Sequence, residues 1–157
     1  MDPLAVSVQF ELGELGSDQL PDVAVNLLLA GYDSPSLRLV AGELHPEMAE
    51  AGKAFADALQ ELGVSVTVRD ALLLRARSIA QAIAEGTIAS MTGASDLYYL
   101  DRHFGGIPEL EPFLREYWRV PVPSNAADEA SQDHALRRAA QALVEAIRQT
   151  VSIQPRG

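Results

Sequence analysis

The sequence predicts an all-α fold, an irregular bundle of about six to seven helices with a long C-terminal helix. Three observations carry this. Apolar residues recur at i, i+3, i+4 and i+7 in one segment after another, the spacing that lines one face of a helix. Glycine and proline punctuate those segments where helices stop and start. Only residues 64–68 alternate apolar with polar, and no second strand exists to pair with them, so they read as an extended connector.

Taken in order, Asp2-Pro3 opens a first helix carrying Leu4, Val8 and Leu12, with Ala5 and Phe10 alongside, that stops near Gly13 or Gly16. Gly16-Ser17-Asp18 then turns the chain into its most apolar segment. There Leu20, Val23, Ala24, Leu27 and Leu28 form one broad face, and Val25, Leu29 and Ala30 extend it round most of the circumference. A helix apolar nearly all round is a buried one, so this is the expected central helix. Gly31 stands where a left-handed residue ends a helix. Asp33 and Ser34 are candidate N-caps for the next helix, with Pro35 in its first turn. Leu37, Val40, Ala41 and Leu44 supply its apolar face.

Pro46 starts an amphipathic helix that ends at Gly63, with the stripe Met48, Ala51, Phe55, Leu59 and Leu62. Thr67 followed by Asp70 resembles a capping box, opening a helix to Gly86 with Leu72, Ala76, Ile79 and Ile83 inward. A helix within 89–104 carries Met91, Ala94, Leu97, Tyr98 and Phe104 and breaks at Gly105-Gly106. Pro108 opens a short one through Leu110, Phe113, Leu114 and Trp118. Pro121 and Pro123 exclude helix between them and favour an extended linker. The last helix, about 127–151, has the stripe Leu136, Ala139, Ala140, Leu143, Ala146, Ile147 and Val151. The expected organisation is a helical core over 1–119, a linker over 120–126, the C-terminal helix docked on the core or on a second copy, and a frayed tail at 152–157.

Composition narrows the chemistry. With no cysteine, disulfides and thiolate metal sites are excluded. His45, His103 and His134 are far apart in sequence, and His45-Pro46-Glu47 lacks a paired ligand spacing, so no metal and no cofactor are expected. No apolar run approaches the length of a membrane span, and the N-terminus lacks the basic-then-apolar pattern of a signal peptide. The expectation is a cytoplasmic chain that does not cross a membrane.

Charge is uneven. Residues 1–64 hold eleven acids against only Arg38 and Lys53, whereas residues 65–157 hold eleven acids and ten arginines. The 17–38 stretch has the outline of a helix-turn-helix. A DNA-reading one needs cations on its second helix to meet phosphate, and only Arg38 is there, so nucleic acid is excluded as a partner. Glu47, Glu50, Asp57 and Glu61 fall on one side of the 46–62 helix, and with Asp33 and Glu43 they make a candidate docking ridge for a basic protein.

Further along, Asp101 falls within the apolar arc of its helix, and Arg75 intrudes in the same way on the helix before. A buried carboxylate needs a partner, so the two are the candidate structural ion pair. Tyr98, Tyr99, Phe104 and Trp118 are the candidate rim of a pocket or peptide groove. The clean stripe at 136–151 must be buried somewhere, which makes it a candidate homodimer seam. No phosphate loop, nucleophile elbow or kinase motif is present.

The functional expectation is a non-enzymatic protein-protein interaction domain with an acidic N-terminal half. One alternative is an immunity- or antitoxin-type inhibitor of a basic toxin. The other is a small-ligand binder or enzyme using the 98–118 aromatic region with Asp101, Arg102 and His103.

Overall fold

The computed structural model describes residues 1–43, 48–119 and 123–151. Among these residues there are eight α-helices and no strand, one helix more than the upper expectation. Residues 64–67 form neither helix nor strand, as the connector reading requires. Contacts gather into two compact units, one over Met1–Ala71 and the other from Leu72 through the last helix.

The first unit holds α1 (Pro3–Glu11), α2 (Leu20–Leu29), α3 (Pro35–Ala41) and α4 (Met48–Glu61). Asp2 caps α1 by accepting the Leu4 N–H at 3.0 Å. Its buried residues are Pro3, Val6, Ser7 and Val8, so the expected face through Leu4 and Leu12 is displaced toward Val6. A short 3₁₀ turn at Ser17–Gln19 leads into α2.

The exit from α2 follows from local chemistry. Gly31 takes φ +92°, the Gly31 N–H donates to the Leu28 carbonyl at 3.0 Å, and the Tyr32 N–H donates to Leu27 at 3.1 Å. This is the glycine-dependent helix stop that satisfies carbonyls the last turn would otherwise orphan. Ser34 then caps α3, its hydroxyl accepting the Leu37 N–H at 3.2 Å with Pro35 at the first helical position.

The core of this unit joins Val6, Leu20, Ala24, Leu27, Leu37, Val40, Ala51, Phe55, Ala58 and Leu59. Phe10 packs its ring on Phe55 at 5.2 Å between centroids. The expectation that α2 is buried all round is overturned: Leu29 is 81% exposed and Val25 40% exposed. Only the line Leu20, Ala24 and Leu27 is buried on this ten-residue helix. The seven-residue α3 is the middle element instead, packed against both α2 and α4.

In the second unit lie α5 (Val68–Glu85, from Leu72 onward), α6 (Ser90–His103), α7 (Glu111–Arg119) and α8 (Ala126–Thr150). Thr67 Oγ1 accepts the Asp70 N–H at 3.1 Å and donates to the Asp70 carboxylate at 2.8 Å, so the cap read from the sequence forms with Asp in place of Glu. Ala76 and Ile83 are buried as expected, joined by Leu73, Leu74 and Ala80. Helix α6 runs close to α5 at Gly93, where a Cβ would meet Ile83 Cγ1 at 2.5 Å and Ile88 Cδ1 at 2.7 Å. Ala94 and Leu97 are buried beside it, but Met91 is 42% exposed, a correction to its place in the inward face.

A 3₁₀ turn at Pro108–Leu110 precedes α7, whose Phe113 and Leu114 are buried. Asn125 caps α8 by accepting the Ala127 and Asp128 N–H groups, each at 2.9 Å. Asp128 reaches back to the Ser124 N–H at 3.1 Å and its hydroxyl at 2.6 Å. Helix α8 packs on α6 and α7, and against α5, through Leu136, Ala140, Leu143 and Ile147. The bulky members of the predicted stripe are therefore covered inside its own unit, whereas Ala139 and Ala146 of the same stripe stay half-buried and exposed, respectively. Among the described residues no helix is long and apolar enough to cross a membrane.

Candidate functional site

Two of the acidic residues singled out in the first unit, Asp33 and Glu61, are engaged within it. Asp33 takes the Arg38 guanidinium, with Nε at 2.7 Å from one oxygen and Nη2 on the other. That pairing holds the Asp33 carboxyl below its ordinary value. Glu61 spans from the end of α4 to the start of α3, accepting the Ser36 N–H at 3.1 Å and its hydroxyl at 2.8 Å. The Ser36 hydroxyl, then the Ser34 hydroxyl and the Ser36 amide, lower the Glu61 pKa by binding its ionised form. Both carboxylates thus hold the α3 N-terminal corner together. Glu43 is exposed and makes an interaction of its own. Glu50 and Asp57 are exposed on α4 with Lys53 between them. Glu47 lies outside the described residues.

In the second unit, Asp101 is half-buried and its Oδ1 accepts the Ile107 N–H at 2.6 Å. A partner for this half-buried carboxylate is thus supplied by its own loop, and Arg75, also half-buried, makes an interaction of its own. That loop turns through Gly105 (φ +80°) and Gly106 (φ +98°), a pair of left-handed residues suited to glycine alone. His103 is exposed, its ring edge-on to Phe104 at 4.8 Å. Asp101 thus braces the loop that follows its helix, and His103 packs on Phe104.

The aromatics do converge. Tyr98 lies 5.3 Å from Trp118 in an edge-to-face arrangement, 5.5 Å from Tyr99 and 6.4 Å from Tyr117. Tyr117 and Trp118 are 5.0 Å apart. These are ring-to-ring contact distances, so the rings pack on one another. Phe104 sits with His103. Tyr99 and Trp118 remain 66% and 64% exposed, forming a raised aromatic face across α6 and α7.

A hollow does exist on another side of α7. A groove of about 490 Å³ runs between α7 and α8, floored by Phe113, Leu143 and the alanines 139, 142 and 146, and edged by Arg115 and Arg119. It passes into a second depression at Glu116, Ala135 and Arg138. Sequence reading missed this groove, although Pro112, Arg115, Glu116 and Arg119 fall at i, i+3, i+4 and i+7 on one helix face. The missing information was which helix would lie alongside. Among the described residues no three His, Asp or Glu side chains cluster as a metal site would require.

Comparison with known proteins finds no matching family, no similar curated protein and no similar solved structure.

Proposed function

We propose that this chain is a helical protein-binding module whose principal contact surface is the aromatic face of α6 and α7. The observation that carries the reading is the pair Tyr99 and Trp118, exposed to about two-thirds of their surface while propped by Tyr98 and Tyr117. Large aromatics held rigid at a surface lose little entropy on binding and dominate interface energetics. Arg102, exposed one helical turn beyond Tyr98, adds the other residue type enriched at such sites.

A second reading is favoured by the acidity of the first unit and the exposure of Glu50 and Asp57: a docking surface for a basic partner, of which an immunity- or antitoxin-type inhibitor is one form. One experiment separates the two. The intact chain is used to retain a partner, which is then titrated against Y99A/W118A and E50Q/D57Q. The aromatic reading expects Y99A/W118A to weaken binding about thirtyfold or more, with E50Q/D57Q near wild type. Undiminished binding by Y99A/W118A overturns it. A loss confined to E50Q/D57Q and to high salt establishes the acidic surface instead.

A further inference from the structure

We infer that the α7–α8 groove is a self-association surface, occupied by the same face of a second copy of this chain in antiparallel orientation. With the bulky residues of the α8 stripe buried in its own unit, its accessible members Ala139 and Ala146 continue with Ala135 and Ala142 as one line of alanines. Their spacing of four, three and four is that of a coiled-coil seam. Ala142 and Ala146 are exposed, and Ala135 and Ala139 are half-buried. Beside this line lies the groove floored by Phe113 and Leu143, so a second helix laid there covers more than small side chains.

Charge selects the occupant and its direction. One residue before Ala139 and Ala146, on the solvent flank of the seam, stand Arg138 and Glu145, both exposed, Glu145 sharing its carboxylate with Arg148 on its own helix at 3.0 Å. The opposite flank, Leu136 and Leu143, is turned inward. An antiparallel copy that sets Ala139 against Ala142 and Ala135 against Ala146 also sets Arg138 against Glu145 of the second copy. Two-fold symmetry makes that pair twice. A face that is its own complement in charge is what an isologous interface requires.

The test uses the intact chain in light scattering and sedimentation over a rising concentration series. Wild type is expected to pass from 16.9 kDa to twice that mass. Ala142→Glu, at an exposed and helix-tolerant position, is expected to raise the dissociation constant more than about a hundredfold, because two carboxylates enter the seam. Arg138→Glu alone and Glu145→Arg alone each place like charges opposite one another twice, and each is expected to weaken association about tenfold. An equimolar mixture of those two variants restores both attractive pairs and is expected to form a heterodimer. Circular dichroism confirms that each variant keeps its helix content. A wild type monomeric throughout overturns the proposal in favour of a different occupant of the groove. A dimer indifferent to Ala142→Glu, or a mixture no tighter than its components, overturns it equally.

Discussion

The two units solve the same problem, anchoring helix ends and faces with carboxylates, by different means. In the first, where cations are scarce, Asp2, Glu61 and Asp70 spend their oxygens on backbone amides and hydroxyls, and Arg38 serves Asp33 alone. In the second, Arg115 takes Glu111 at 2.8 Å, Arg119 takes Glu116 at 3.0 Å, Arg137 takes Asp133 at 2.5 Å and Arg148 takes Glu145 at 3.0 Å. Amide and hydroxyl bonds fix where a helix begins. Pairs of one helix with itself, three or four residues apart, add little to stability and mainly set the charge of a surface. The acidic unit therefore uses these carboxylates to fix structure, whereas the arginine-richer unit, apart from the loop and cap carboxylates Asp101 and Asp128, displays its charge on helix surfaces.

The largest effects should come from the two aromatic anchors of the cores. Phe55→Ala and Phe113→Ala each remove a buried ring and are expected to cost about 3–5 kcal/mol. Hydrogen exchange sharpens the contrast. Phe55→Ala should lower protection first in α2, α3 and α4, and Phe113→Ala first in α6, α7 and α8. The same protection map for both variants would break the division into two units.

Next in size is the α3 corner. Ser34→Ala removes its N-cap and is expected to cost about 1 kcal/mol by chemical denaturation. Glu61 adds a pH signature there. Its pKa is lowered in the folded chain, so its contribution is fully present above the ordinary carboxylate value and is lost as pH falls through the folded one. Stability of wild type should thus decline from about pH 4.3 downward more steeply than that of Glu61→Gln, and the two should draw together in acid. Parallel profiles for the two proteins would show that Glu61 does no such work. The smallest effect belongs to the second unit: Arg115→Ala should change stability by less than about 0.5 kcal/mol, and salt should erase even that.

The legible parts of the molecule were those decided within a few residues. Gly31, Ser34, Thr67 and Gly86 were readable because a left-handed stop or a cap needs only its own turn. The stripe of α4 was readable because one helix face repeats its own spacing. What escaped was decided at a distance. Nothing near Leu29 or Met91 tells that their sides of α2 and α6 face outward. Glu61 could be placed on a helix face but not against Ser36, twenty-five residues earlier. Of the candidate sites, the convergence of Tyr98, Tyr99 and Trp118 was visible as a cluster, but its raised form depends on α7 crossing α6. The groove depends on α7 meeting α8, and no single segment carries that information.

The stacked rings of α6 and α7 also decide how the molecule behaves in light. Trp118 is the only indole, and three of the four tyrosines lie in one ring cluster with it. At those spacings, excitation absorbed by Tyr98, Tyr99 or Tyr117 passes to the indole and emerges as its emission. Tyr32, in the other unit, is the remaining phenol. The chain therefore carries a natural optical label for the second unit, an indole emission fed by its neighbouring phenols, that follows the α6–α7 ring cluster without an added dye.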